Sequence, residues 1–107
     1  MQKEPLKPNK HIKIKSLKDP HTFIKSEYKG FVRRGYDEGN SRKSWSHADF
    51  IVAKKMAMKC YDKKDIEKAI LHESPNINER KGKYALNYVK RTVDKVMNLQ
   101  EVIEKRQ

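Results

Sequence analysis

Near the end of the chain, Ala85, Val89, Thr92, Val96, Leu99 and Ile103 fall at steps of four, three, four, three and four residues. No other feature narrows the fold as much. That spacing holds side chains on one face of an α-helix and would scatter them over both faces of a strand. Tyr84, Tyr88, Val93 and Met97 widen the face, and the pattern predicts a long helix over about 83–104. The same period occurs earlier. Phe23, Ile24, Tyr28, Phe31 and Val32 predict a first helix over about 21–35, with Gly35 suited to its end. No segment from residue 21 onward competes as a strand. The expected fold class is therefore all-α, a small orthogonal bundle of about four helices.

The two middle helices are delimited by their ends. Ser46 is a candidate cap with Asp49 three residues on, and an apolar stripe of Phe50, Ala53, Ala57 and Cys60 follows. Residues 36–45 before it read as a loop. Asp62 then caps a short third helix, with Asp65 in its first turn and Ile66, Ala69 and Ile70 as its buried face. That helix must stop near Ser74-Pro75, because the residue before a proline avoids the helical region. Residues 76–82 read as a turn containing at most one helical turn. Residues 1–20 carry Pro5, Pro8 and Pro20 among six lysines and read as a basic, flexible arm or linker, leaving 21–107 as the helical domain.

Composition limits what such a domain can do. The 107 residues are 37% charged and 36% apolar, with a net charge of +12. The longest apolar run, Phe50 to Ala53, excludes a membrane span. The charge favours an anionic partner, with nucleic acid first and acidic lipid second. A single cysteine excludes an intrachain disulfide and fits a reducing, cytoplasmic compartment. Cys60 itself reads as a buried structural thiol.

No catalytic constellation is visible. His11, His21, His47 and His72 never pair at a ligand spacing on one helix, and the four glycines are scattered rather than gathered into a phosphate loop. No cofactor and no metal are expected. The basic groups point elsewhere. Arg42 and Lys43 precede Trp45; Lys54, Lys55 and Lys59 lie on the second helix; Arg80, Lys81 and Lys83, with Lys90 and Arg91, surround the start of the last. Cations at a helix start oppose the macrodipole, so stability alone does not select them, whereas phosphate contact does. These eleven residues are the candidate DNA-contacting set. Trp45 is balanced between a core position and an exposed ring that stacks on a base. The Tyr84 and Tyr88 pair reads as packing, with hydroxyls at the rim.

One arrangement is more specific. Ser46-His47-Ala48-Asp49-Phe50 opens the second helix, Cys60-Tyr61 ends it, Ser74-Pro75 precedes Glu79-Arg80-Lys81-Gly82, and Tyr88 precedes Arg91-Thr92. This order resembles the C-terminal helix-bundle region of RepB-like plasmid primases and MobA-type relaxase-primases, over about residues 36–105. A glycine is common in that pattern where Cys60 stands, and the primase acids and the relaxase tyrosine-histidine motif do not precede the module here. The resemblance implies a non-catalytic module that engages the DNA template beside a catalytic primase or relaxase domain in the same or another chain. A single strand is the preferred ligand because no helix reads as a major-groove recognition helix with base-reading Asn, Gln and Arg together. On this reading Arg80 and Arg91 divide between DNA contact and fixing the fold, with Arg91 a candidate partner for Asp49 or Glu79. Two alternatives stand beside it. One is a protein-interaction module docking through the long last helix, whose test is whether the 85–103 stripe is exposed. The other is an enzyme fragment that holds primer, nucleotide and template.

Overall fold

The computed structural model describes residues 18–107. They form six α-helices and one 3-10 turn, with no strand among the described residues. The helices are α1 (Pro20–Arg33), α2 (Trp45–Met58), α3 (Lys63–Glu73), α4 (Ile77–Lys81), α5 (Ala85–Met97) and α6 (Gln100–Arg106), with Gly82–Tyr84 as the 3-10 turn before α5. The architecture is the expected all-α bundle. It has more pieces than four because α4 is a short insert and the last helix is broken. No described helix is long and apolar enough to cross a membrane. The arm expected over 1–20 lies almost wholly outside the described residues. At its boundary the Asp19 carboxylate accepts from the His21 and Thr22 amides and Pro20 opens α1.

Helix ends follow local chemistry. After α1 the Tyr36 amide donates to the Phe31 carbonyl and the Gly35 amide to Val32, while the Tyr36 ring packs on Phe31 at 4.7 Å. This is a Schellman stop, and Gly35, at φ +89°, occupies its left-handed position. The same stop closes α2, with Tyr61 donating to Met56 and Cys60 to Ala57. Here the left-handed residue is Cys60, at φ +69°. The turn geometry is thus that of the glycine-bearing pattern, held by a residue with a Cβ. Cys60 lies beyond the helix end and is partly exposed, not a buried thiol on the apolar stripe. Asp62 caps α3 as expected, accepting from the Lys64 amide.

Two boundaries differ from expectation. Helix α2 starts at Trp45, because Ser44 and not Ser46 is the cap, its Oγ accepting from the His47 amide at 3.2 Å. The earlier start carries Asp49 past the first turn and turns its side chain inward. The second difference is at Asn98-Leu99. The Asn98 side-chain amide donates to the Asp94 carbonyl at 2.9 Å, and Leu99 is extended. After this break α6 packs on α2, Val102 enters the core, and Ile103 is left 36% exposed. Arg106 then donates from Nη1 to the Ala57 and Tyr61 carbonyls at 3.0 and 2.8 Å, satisfying acceptors at the end of α2.

Helix α2 is the hub of the packing, touching α1, α3, α5 and α6. Its inward face sets Val52, Ala53, Met56 and Ala57 against Ile24, Phe31, Ile66 and Val89, among other buried side chains. Burying each large apolar side chain here stabilises the fold by about 1.5–3 kcal/mol. The stripe on α5 faces this core, with Ala85, Val89 and Val96 buried. It is covered by the chain's own helices and so does not offer the exposed face that docking through the last helix requires.

Candidate nucleic-acid interface

At the centre of the bundle lies a polar cluster built on Asp49, which is fully buried. Its Oδ1 accepts from the Tyr28 hydroxyl of α1 at 2.5 Å and from the Ser74 hydroxyl at 2.7 Å. Its Oδ2 accepts from the Tyr88 hydroxyl of α5 at 2.6 Å and faces Arg80 Nη2 at 3.5 Å. Arg80 also donates to the Ser74 Oγ at 2.5 Å and, through Nε, to the Pro75 carbonyl at 2.9 Å. One carboxylate thereby joins α1, α2, the α3–α4 turn, α4 and α5. Burial, and next the Asp49 charge, hold the Tyr28 phenol well above its ordinary range and push Tyr88 up to about 12. Both rings therefore stay neutral and donate to the carboxylate.

This cluster re-sorts the candidate residues. Arg80, whose side chain is 5% exposed, is inside the bundle and pairs with Asp49. Arg91, the expected partner of Asp49, is on the surface. Trp45 is 6% exposed, its ring 6.1 Å from Tyr28 and 6.3 Å from Tyr36, so it is a core residue and not a stacking platform. The tyrosine pair separates. The Tyr88 hydroxyl points inward to Asp49, whereas Tyr84 is 59% exposed.

The remaining cations stand on the surface in three groups. Lys43 donates to the Arg34 carbonyl at the end of α1, a favourable place for a cation, and Arg42 is exposed beside it. On α2, Lys54 pairs with Glu101 at 2.6 Å, Lys55 pairs with Glu27 at 2.8 Å, and Lys59 lies 5.7 Å over the Phe23 ring. Around α5, Lys81 sits 4.3 Å over the Tyr88 ring and Lys83 5.4 Å over Tyr84. Lys90 meets Lys64 and Lys68 of α3 at a shallow groove of about 270 Å³ floored by Leu71 and Leu86. The groove's one acid, Glu67, lies 4.0 Å from Lys63 on its own helix. Among the described residues Lys64, Lys68, Lys83, Lys90 and Arg91 have no carboxylate within 4.0 Å. The α3 lysines were missed because nothing in their local spacing ties them to α5. A second juxtaposition joins histidines distant in sequence. His21 lies 5.6 Å from His72, ring to ring, and its Nδ1 is 3.4 Å from Glu73. Among the described residues no three His, Cys, Asp or Glu side chains gather as a metal site.

A family model for the RepB DNA-primase C-terminal helical domain matches residues 43–96. The chain belongs to that family. Its matched span holds Asp49, Ser74, Arg80 and Tyr88, while the helix that brings Tyr28 to the same carboxylate lies before it. This RepB-type helical domain is 38% identical over 78 residues to mobilization protein A of Escherichia coli, covering 73% of this chain and 10% of that protein. It is also similar to the crystal structure of primase RepB′, with a TM-score of 0.69 and 32% identity over 92% of this chain and 31% of that one. The chain thus spans about a tenth and a third of these two relatives.

Proposed function

We propose that this chain is a non-catalytic, DNA-engaging module of a plasmid replication or mobilisation primase. It would hold single-stranded template beside a catalytic primase or relaxase domain in the same chain or a partner chain. The observation that carries the reading is the α3–α5 face, where Lys64, Lys68 and Lys90 line one groove with a single acid, Glu67, while Lys63 beside it pairs with Asp94 at 2.6 Å. Three ammonium groups beside one carboxylate leave the groove with a net positive charge that attracts an anion. Lys83, in the turn before α5, and Arg91, on α5, are further exposed cations with no carboxylate within 4.0 Å among the described residues. Tyr84 supplies an exposed ring beside Lys83, a sequence-tolerant platform for an unpaired base. Arg42 and Lys43 lie in the loop that leads into α2, the helix that Tyr88 reaches, and supply a further phosphate contact. Lys54 and Lys55 already carry carboxylate partners and contribute little to this face.

The test is fluorescence anisotropy with labelled single- and double-stranded DNA of equal length across a salt series. Single strands bind more tightly, with log affinity falling linearly against log salt. Replacing Lys64, Lys68 and Lys90 by Gln lowers that slope by about 0.7 per lost phosphate contact on a single strand. Tyr84→Ala weakens single-strand binding by about 1–3 kcal/mol. Absence of binding to either form at low salt, or an unchanged slope in the triple variant, refutes the reading.

A further inference from the structure

Helix α2 has two apolar faces, one buried in the core and one that the bundle covers only in part. Ala48, Asp49, Val52, Ala53, Met56 and Ala57 are buried in the core. On the opposite side His47, Phe50, Ile51, Lys54, Lys55 and Met58 recur at three- and four-residue steps, and Lys59 continues the series. A helix apolar on both sides is the pattern of one enclosed all round. Here the second face is instead the floor of an open groove of about 810 Å³, walled by Phe23 and Glu27 of α1 and by Lys105 of α6. Phe50, Ile51 and Met58 are only partly covered. From His47 to Lys59 the floor runs about 18 Å, roughly three helical turns.

We infer that this groove docks an acidic amphipathic helix of a partner protein or partner domain. The floor takes its apolar residues at i, i+3, i+4 and i+7, and the rim takes its carboxylates. Charge complementarity selects this occupant. The rim carries Lys54, Lys55, Lys59 and Lys105 against Glu27 and Glu101, and those two acids already engage Lys55 and Lys54. Lys59 and Lys105 have no carboxylate within 4.0 Å among the described residues. Residues 1–17 carry five lysines and one acid, so they meet this rim with like charge. A second copy of a chain at +12 does the same. A DNA strand would satisfy the lysines, but Phe50, Ile51 and Met58 offer base edges no hydrogen bond in return for their desolvation. The adaptable Met58 thioether suits an apolar side chain of variable shape. The inference stands apart from the DNA-engaging reading, which uses the α3–α5 face.

The test uses the full chain with isotope-labelled isoleucine and methionine methyl groups. The probes are a synthetic glutamate-rich amphipathic peptide with Leu at those four spacings, the same peptide with every Glu changed to Lys, and a single-stranded oligonucleotide. The acidic peptide shifts the Ile51 and Met58 methyl signals saturably. Ile51→Gln with Met58→Gln weakens its binding about tenfold or more, the loss expected when two apolar contacts are removed. If that double variant does not fold, Lys59→Glu with Lys105→Glu, both on the surface, gives the same loss. The inference is overturned if the acidic peptide leaves these signals unmoved or if the lysine peptide binds equally well. It is also overturned if the oligonucleotide moves them, if they shift on dilution as a second copy leaves, or if they shift when residues 1–17 are removed.

Discussion

Asp49→Asn replaces one oxygen of the central carboxylate with an amide nitrogen and removes the charge with almost no change of shape. The Oδ1 contacts from Tyr28 and Ser74 persist. On the other side the amide faces the Tyr88 hydroxyl and the Arg80 guanidinium, which is a donor with nothing to accept from it. Tyr88 can rotate its hydrogen away. Arg80 cannot, and with a side chain 5% exposed its charge is left buried and unpaired. Breaking one side of a buried pair costs about 3–5 kcal/mol, which for a domain of this size lowers the melting point by roughly 12–40 °C. Against a total of about 5–15 kcal/mol, that is a large share of the stability. The assay is urea unfolding followed by Trp45, the one tryptophan, whose ring is buried against Tyr28 and Tyr36. Arg80→Met costs less, because Asp49 keeps three hydroxyl donors, and among the described residues Arg80 Nη1 is buried without a hydrogen-bond partner even in the parent. The double variant then costs less than the sum of the two, with a coupling of about 1–3 kcal/mol. Below its melting point Asp49→Asn keeps the parent's salt dependence on DNA, since neither residue reaches the surface. If Asp49→Asn unfolds within about 1 kcal/mol of the parent, or the cycle is additive, the cluster is not what fixes the helices, and the reasoning fails.

Cys60→Gly raises stability by up to about 1 kcal/mol by relieving a left-handed Cβ, and Gly35→Ala, at the matching position after α1, lowers it by about 1–2 kcal/mol; chemical denaturation reads both. Stability falls as pH rises from about 10 towards 12, because Tyr28 and Tyr88 keep their protons in the folded chain after unfolded tyrosines have lost theirs. Ultraviolet phenolate titration shows this as a late component, reduced in Tyr88→Phe. Arg106→Ala leaves the Ala57 and Tyr61 carbonyls without this donor and costs about 1–3 kcal/mol, with hydrogen exchange rising first in α6.

The parts of the fold legible in the sequence are those decided within a few residues. Gly35 and Asp62 end and begin helices through contacts to their own neighbours, and Ser74-Pro75 stops α3 by sterics alone. Where local signals compete, distant packing decides. Ser44 and Ser46 are equally good caps by type, and Ser44 takes the role because Trp45 is drawn in between Tyr28 and Tyr36. At Asn98-Leu99 there is neither glycine nor proline to announce a break. The helix stops there because turning onto α2 buries Val102 and lets Arg106 close the end of α2. The site was less legible for the same reason. Arg80 and Asp49 are 31 residues apart, and no periodicity distinguishes Arg80 from Arg91 as the partner. Lys64 and Lys68 look like ordinary solvated positions on α3 until Lys90 is set opposite them.

The distinctive residues of the motif, Asp49, Ser74, Arg80 and Tyr88, are turned to one another and not to a ligand. Their spacing specifies how five segments meet, which is a statement about rigidity. The surface that would touch DNA is then carried by lysines and one tyrosine outside that cluster. Lysine ammonium groups fix a phosphate backbone without reading bases, and an exposed phenol stacks on any base. A framework stiffened by a buried ion pair and dressed with such groups is suited to holding a strand in position whatever its sequence. Any sequence choice would then belong to another part of the assembly. Arg91 and Arg42 decide whether bases are read, because arginine's rigid planar fork is better matched than an ammonium to the two-pronged contact that tells guanine from other bases. If Arg91→Lys and Arg42→Lys leave both affinity and sequence preference unchanged, the face grips backbone only; if either substitution erases a preference for guanine-containing strands, the module reads sequence as well as charge.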